Sequence, residues 1–375
     1  MDTSFSAEQN ILRESISRYF TENFSLEKRR DIVKSNNGFD RSSWHEYSQM
    51  GWLSLLLAED VGGFAGGDEE ILILMEQVGR HLVMDPFVPT LVMFGRLIEK
   101  VGSLAQKTLY LQPLMNGELI GSVAYLEPGR RYDYLAPRTI AVPCAEGWLV
   151  TGKKSFVLNG GSADIVVVNA TCENSGSGLF LVDTKSAGVT LRNHTSMDGH
   201  PLCDIELQGV MVSDASRLGD FGGSDELLEG VCLDACLALS AEALGLMDKV
   251  LSQSLAYSRT REQFGQAIGS FQAISHRLVD MYMHIEQVRS LLYKAVTEAS
   301  GCQQARKKSI YGLKAFVCEA SIKVGESAIQ VHGGMGLTEE LPTTHYFKRL
   351  AMISHLFGDE NYHLHQYIGM EQRDG

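Results

Sequence analysis

The chain has 375 residues, of which 44% are hydrophobic, so it is long enough for two or three domains with apolar cores. Its formal net charge of −13 argues against nucleic acids and anionic membranes as partners, because both require a concentrated basic surface. The basic pairs Arg29–Arg30, Arg130–Arg131 and Lys153–Lys154 are too isolated to form one, and we expect them on the solvated surface.

The N-terminal stretch MDTSFSAEQNILRES lacks a basic region followed by an apolar run. No window approaches the roughly 18 uninterrupted apolar residues of a membrane span. Seven scattered cysteines without a CxxC pair indicate buried thiols in a reducing compartment, with Cys232 and Cys236 packed in the core. We therefore predict a soluble cytoplasmic protein without a metal site.

Residues 1–118 have the apolar spacing of helices. The stretches AEQNILRESISRYFTENF and EEILILMEQVGRHL each place apolar residues on one stripe. Between them, EDVGGFAGGDEE supplies a glycine-rich break followed by acidic residues that suit a helix N-terminus. We predict an N-terminal helical domain.

Residues 119–222 change character to short β-branched or alternating runs separated by Gly, Asn, Asp and Ser, which predicts an antiparallel β domain. Helical spacing returns from residue 223 to 375, in segments at about 225–257, 269–299, 303–331 and 340–353. Four long helices are typical of a four-helix bundle. The predicted fold class is therefore α+β, with a helical, a β and a second helical domain.

Four motifs follow one another along this pattern: GWLSLLLAEDVGG, AYLEPG with GKKSFVLNGGSAD, YSRTREQFGQAIGSFQ, and QVHGGMGLTEELP. Together they resemble the acyl-CoA dehydrogenase family over essentially the full length. The resemblance implies an FAD cofactor shared between subunits, an acyl-CoA substrate and an electron-transfer acceptor. It also implies that oligomerisation is part of the active site.

In that family the arginine of an R-x-Q-F-G motif and the glutamine of a Q-x-x-G-G segment reach the neighbouring subunit's FAD. Arg261 and Gln330 occupy these places; the alternative is an exposed arginine and a helix-terminal amide. A guanidinium suits phosphate oxygens, and glycines let the backbone approach a ligand. The expected cofactor-binding residues are Arg261, Gln263, Phe264, Gln272, Gln330, His332, Gly333 and Gly334, with His332 lining the cofactor groove.

The residues expected beside the flavin ring depart from the family pattern. T-E-P-G-x-G-S-D corresponds to LEPGRRYD, so Leu126 replaces a threonine. The family's W-I-T segment corresponds to Phe156, Val157 and Leu158. Leucine cannot form the hydrogen bonds that stabilise charge on the flavin, each worth about 2–4 kcal/mol in comparable oxyanion sites.

A catalytic base is also missing from both positions where the family carries a glutamate. The segment LFGDE places Gly358 at one position, and Ala235 lies at the other. Asp359 and Asp234 each lie one residue away, which on a helix turns a side chain by about 100°. Asp359 remains a candidate base, with helix capping as its alternative. We expect Asp234 on a solvated face, and His355, His363 and His365 solvated or at a subunit contact.

Three functions fit this pattern. In the first, the chain is one subunit of an α2β2 hetero-oligomer whose other, homologous chain carries the glutamate. In the second, it is a self-sufficient homo-oligomer that uses Asp359 as its base or needs no base. In the third, it is a non-catalytic scaffold. The chain lacks the polar residues expected beside the flavin ring but keeps those expected at the adenosine end of FAD, and this pattern favours the hetero-oligomer. The resemblance is closest to paired bacterial enzymes that act on bulky thioesters such as steroid side chains.

Overall fold

The computed structural model describes residues 5–35, 38–173, 176–298 and 302–374. The chain divides into two compact units, which we call the helical unit (residues 1–29, 68–83 and 236–375) and the sheet unit (residues 30–67 and 84–235). The α-helices of the described residues are α1 (Ala7–Asn23), α2 (Leu26–Lys34), α3 (Arg41–Gln49), α4 (Asp68–Arg80), α5 (Arg96–Val101), α6 (Leu104–Met115), α7 (Ser224–Thr260), α8 (Gln272–Glu298), α9 (Gln303–His332), α10 (Pro342–Ile353) and α11 (Glu360–Asp374).

The N-terminal helices begin where the sequence predicts them. The α1 helix starts with a capping box, in which Ser6 Oγ accepts from Gln9 N and the Gln9 side chain accepts from Ser6 N. The α4 helix starts at Asp68, at the end of the glycine-rich break, with acidic residues throughout its first turn. The predicted helical N-terminal region is therefore confirmed.

The four long helices predicted after residue 223 are present as α7, α8, α9 and α10, with ends within a few residues of the prediction. The α11 helix lies beyond the predicted helical segments. The α7 helix is long and apolar enough to cross a membrane, but 94% of its most apolar window is buried. Such burial is typical of a core helix.

The sheet unit is built around a mixed eight-stranded sheet. Its main order is β6-β7-β3-β2-β4-β5-β8, and β1 pairs with β4. Most pairs are antiparallel as predicted, but β1 and β2 both run parallel to β4, which residue alternation cannot reveal. The strands are β1 (Gly121–Ala124), β2 (Ile140–Cys144), β3 (Gly147–Leu158), β4 (Ile165–Cys172), β5 (Gly176–Asp183), β6 (Val189–Thr195), β7 (Pro201–Val212) and β8 (Arg217–Leu218).

Helices α4, α7 and α10 meet closely inside the helical unit. A side chain at Gly79 or Gly245 would collide with the backbone of the facing helix, so glycine permits this approach. The buried carboxylate of Glu242 on α7 accepts from Arg349 Nε at 2.6 Å and Nη2 at 2.9 Å on α10. This two-point ion pair fixes α10, the helix that leads to Gly358.

Three charged residues expected at the surface are buried. Asp234 is 1% exposed, because its carboxylate pairs with Arg96 at 3.2 Å and Lys100 at 3.3 Å within the sheet unit. Arg29 is 2% exposed and Lys154 fully buried, and both bond to acceptors described below. A single sequence does not show which charges have buried partners.

The cysteine prediction is confirmed for Cys232, Cys236 and three others, which are buried, whereas Cys302 is exposed and Cys144 half-buried.

Candidate functional site

The R-x-Q-F-G motif lies on a short hairpin directly after α7. Its strands are β9 (Glu262–Gln263) and β10 (Gln266–Ala267). The Arg261 backbone is held at both ends, since its N–H donates to Tyr257 O at 2.8 Å and its carbonyl accepts from Ile268 N at 2.8 Å. Arg261, Gln263 and Phe264 are nevertheless exposed, Phe264 by 92%. The hairpin thus presents a guanidinium, an amide and an aromatic ring outward.

The Q-x-x-G-G segment lies at the end of α9. Gln330 is exposed in the last helical turn, and Gly333 ends the helix with φ +62° and ψ −143°, a conformation that favours glycine. A Cβ added to Gly333 or Gly334 would meet nothing within 4 Å. The backbone is therefore open to an approaching molecule at this turn.

An aromatic stack joins these two segments. Tyr257, whose carbonyl accepts from Arg261 N, stacks on His332 with ring centroids 4.6 Å apart and planes at 26°. His332 is only 6% exposed, and its Nδ1 donates to Ala328 O at 2.8 Å. His332 therefore supports the surface from behind instead of lining a groove, which corrects the prediction.

The stack joins the helix end that precedes Arg261 to the helix end that contains Gln330. Gln272 is exposed at the first position of α8, and the sequence links it to the hairpin through residues 268–271. We call the exposed set the Arg261–Gln330 surface; it consists of Arg261, Gln263, Phe264, Gln330, Gly333 and Gly334. Its donor set fits a phosphate-bearing cofactor tail, because it combines a planar guanidinium, amides and open backbone.

In the sheet unit, three of the positions expected beside a flavin ring, Leu126, Phe156 and Leu158, carry no side-chain hydrogen-bond donor. Leu126 and Leu158 are half-buried. Phe156 is 40% exposed with φ +59°, at an interruption in the β3–β7 register between Lys154 and Val157. An aromatic residue in this left-handed conformation marks local backbone strain. The donor set fits a flavin ring poorly.

The loop that follows Leu126 is braced from within. Arg130 donates to three carbonyl oxygens of its own loop: Asp133 O at 3.3 Å, Leu135 O at 3.1 Å and Ala136 O at 3.1 Å. It also pairs with the Asp133 carboxylate. Arg130 therefore holds this loop closed on itself.

A buried ion pair anchors the same loop to the sheet. Glu127 Oε1 accepts from Lys154 Nζ at 2.8 Å and from the N–H and hydroxyl of Thr139, and Lys154 also donates to Asn169 Oδ1 at 2.6 Å. Burial alone would raise the pKa of Glu127, but these donors outweigh it and lower that pKa to about 2. Burial lowers the pKa of Lys154 to about 8. One signal could have revealed Lys154: it lies four residues after the buried Val150, on the same face of β3.

Gly358 lies in a crowded turn between α10 and α11. Its φ is +133°, which side-chain-bearing residues rarely adopt. A Cβ at this position would lie 2.5 Å from His363 Nε2 and against the Tyr362 ring. The space that the side chain of the family's glutamate would occupy is therefore already taken by His363 and Tyr362.

A fully buried lysine holds this turn from below. Lys314 Nζ donates to Ile353 O at 2.9 Å and to Gly358 O at 3.4 Å, and it lies 3.3 Å from Cys318 Sγ. Ile353 is the last residue of α10, so the ammonium group also satisfies the carbonyl end of that helix. The conformation of Gly358 is thus fixed from two sides.

His363 is 1% exposed, which corrects the expectation of a solvated histidine; His355 and His365 are exposed as expected. Burial lowers the pKa of His363 to about 3, and the nearby Lys314 charge acts in the same direction. The imidazole is therefore neutral at physiological pH. It is too buried and too weakly basic to replace the glutamate.

Asp359 acts as a helix cap. Its Oδ1 accepts from Tyr362 N at 2.9 Å, and its carbonyl accepts from His363 N at 3.1 Å, so it satisfies the first turn of α11. Ala235, at the family's alternative glutamate position, is fully buried. The geometry favours the capping alternative for Asp359.

Comparison with known proteins agrees with this architecture. Models of the N-terminal, middle and C-terminal domains of acyl-CoA dehydrogenases match residues 6–118, 122–210 and 235–368. The chain belongs to the acyl-CoA dehydrogenase family. It thus has the family's three-domain fold, its FAD cofactor and its role as an oxidoreductase acting on acyl-CoA.

Three relatives show the extent of the similarity. The short-chain-specific acyl-CoA dehydrogenase of Megasphaera elsdenii is 29% identical over 86% of this chain and 87% of its own. A structure of a variant of the steroid acyl-CoA dehydrogenase Tcur3481-Tcur3483 is 29% identical, with a TM-score of 0.88 over 98% of both chains. The ChsE4-ChsE5 complex of Mycobacterium tuberculosis is 25% identical with a TM-score of 0.91 over the full length of both chains.

Proposed function

We propose that this chain is the base-lacking subunit of a hetero-oligomeric acyl-CoA dehydrogenase and completes the FAD site of a homologous partner. The observation that carries the proposal is the enclosed Gly358 turn, which has neither a carboxylate nor room for one. Dehydrogenation of a thioester requires a base at the α-carbon. A partner subunit that carries the glutamate would supply it.

The chain's own contribution is the Arg261–Gln330 surface. Arg261 would bind phosphate oxygens through two parallel N–H donors, and Gln330 would bond polar groups of the adenosine. Gly333 and Gly334 would let the main chain approach the cofactor closely. FAD, when bound, accepts the hydride that leaves the β-carbon of the acyl group. The residues of this chain hold the tail of the cofactor and leave proton removal to the partner.

The relatives suggest the assembly and the substrate class. One similar structure is described as a steroid acyl-CoA dehydrogenase named for two components, and another as a complex of two. We therefore propose an α2β2 assembly, a bulky acyl-CoA such as a steroid side-chain thioester, and an electron-transferring acceptor. The apolar ring-side residues Leu126 and Leu158 fit a chain whose own ring pocket is not used.

Two other functions have less support. A self-sufficient homo-oligomer would need Asp359 as its base, but that carboxylate caps α11 beside the filled Gly358 position. A scaffold that never binds flavin would not need an exposed arginine and glutamine brought together by the Tyr257–His332 stack.

Co-expression with a homologous chain that carries the glutamate tests the proposal. We expect the two chains to co-purify with one FAD per pair of chains and with acyl-CoA dehydrogenase activity, and we expect the isolated chain to retain little flavin. Flavin content follows from absorbance, and subunit ratio from mass measurement of the intact complex. Stoichiometric flavin and acyl-CoA oxidation in the isolated chain would contradict the proposal.

A further inference from the structure

A basic pocket lies in the helical unit, among residues that the proposed function does not use. It has a volume of about 220 Å³. Four of its residues are basic, and none of the described residues that line it is acidic. This is unusual in a chain with 46 acidic and 33 basic residues. The basic residues are Arg29, Arg80, His81 and Lys249.

The pocket is built from ordered contacts around the end of α4. The buried Arg29 donates from Nη1 to Leu82 O at 3.1 Å, and Tyr346 donates its hydroxyl to Arg80 O at 2.8 Å. His81 donates from Nδ1 to Gln77 O at 3.0 Å, and its Nε2 lies 3.1 Å from the Thr21 hydroxyl. These bonds hold the Arg29 and His81 side chains and the Arg80 backbone in place before any ligand binds.

The basic groups lie near enough to affect one another. Burial lowers the pKa of His81, and the Lys249 and Arg80 charges lower it further. Burial raises the pKa of Tyr346 while Arg29 and Arg80 oppose that rise. Like charges that share one pocket repel each other, so a bound anion would relieve this cost.

Two neighbouring negative groups offset part of this charge. The carbonyl end of α4 carries roughly half a negative charge. Asp248 lies 3.9 Å from Arg80 Nη1, but its carboxylate is already bound at two points by Arg289, at 2.9 and 2.8 Å. The positive charges of Arg80 and Lys249 are therefore only partly offset at the pocket.

We propose that this pocket binds the phosphate group of a small organic phosphate. The cations and the Ser25 hydroxyl provide donors for phosphate oxygens, and Phe24, Leu26 and Pro342 provide an apolar wall for the organic part. The phosphate comes either from a free nucleotide or from the 3′-phosphate of CoA. The proposal does not depend on the partner subunit.

The test is calorimetric titration of the full-length chain with inorganic phosphate, AMP, CoA and dephospho-CoA, at constant ionic strength set with potassium chloride. We expect saturable binding of AMP that is tighter than that of phosphate, because the base contacts the apolar wall. Lys249→Gln should weaken it at least tenfold. CoA that binds better than dephospho-CoA would identify the 3′-phosphate as the source.

Lys323→Gln is the matched control, since it removes one exposed positive charge from α9 outside the pocket. It should leave binding unchanged. Lys249→Gln should leave the FAD content of the complex unchanged, so a failure at this pocket is distinguishable from a failure of the proposed function. No saturable heat with any phosphate, or equal loss in Lys249→Gln and Lys323→Gln, would overturn the site.

Discussion

Two glycine-bearing turns of the helical unit lack side chains for opposite reasons. At Gly333 and Gly334 an added Cβ would point into open space, whereas at Gly358 it would collide with His363 and Tyr362. The first turn leaves room for something outside the chain, and the second leaves no room for anything. Under the proposed function, the open turn would contact the partner's cofactor, and the closed turn leaves no place for a catalytic carboxylate.

The largest effect is expected when the family's glutamate is restored at Gly358. Gly358→Glu should destabilise the chain by about 3 kcal/mol, because it combines overpacking with a disfavoured backbone conformation. It should not confer acyl-CoA oxidation on the isolated chain. Denaturant unfolding and an acceptor-reduction assay measure the two outcomes.

Gly334→Glu is the matched control, because it introduces the same side chain at an open glycine of the same unit. Its stability should stay close to that of the natural chain. In addition, Gly358→Ala should cost less stability in a His363→Ala background, since that imidazole forms part of the obstruction. Activity of Gly358→Glu alone would show that the turn is not closed.

The open surface should respond to Arg261→Ala through cofactor binding. Loss of a charged hydrogen bond costs about 1.5–3 kcal/mol, which corresponds to roughly 10- to 100-fold weaker FAD binding in the complex. Stability of the isolated chain should not change, since Arg261 is exposed. Arg192→Ala, at an exposed position in β6, is the control. Unchanged flavin retention after gel filtration would remove Arg261 from the site.

The closed turn should also make stability depend on pH. The folded pKa of His363 is about 3 and the ordinary value is 6.5, so below pH 6.5 the unfolded chain binds a proton that the folded chain does not. Stability is therefore lost as pH falls from 6.5 toward 3. Between pH 7 and pH 5 this contributes about 2 kcal/mol. Between pH 7 and pH 5, the free energy of unfolding of His363→Gln, measured in urea, should fall by about 2 kcal/mol less than that of the natural chain. An identical fall in the two proteins would contradict a buried neutral imidazole.

The smallest expected effect concerns Asp359. Asp359→Ala should reduce stability by about 1 kcal/mol, the usual value of a helix N-cap. Asp359→Asn should cost less, because asparagine caps almost as well. Neither variant should lower the turnover of the complex. A large fall in turnover with unchanged stability would return Asp359 to the role of catalytic base.

The motifs predicted the residues of the open surface as a cofactor site, and that assignment stays a prediction. The sequence predicted Arg261, Gln330 and Gly333–Gly334 as one set, and the fold brings them together because the motif ends of α7 and α9 meet at the Tyr257–His332 stack. It also showed that Gly358 lacks a carboxylate. It could not show that the position is filled, because that depends on how α11 folds His363 back over Gly358 and on Lys314, which comes from α9.

The order of helical and β segments could be predicted from the sequence, because apolar periodicity records which face of each element is buried. Which charges are buried, and what they contact, depends on how the elements pack together. Arg29, Lys154 and Asp234 look like surface residues in the sequence, but each bonds to a group distant along the chain. Burial of a charge depends on such partners, and local spacing does not identify them.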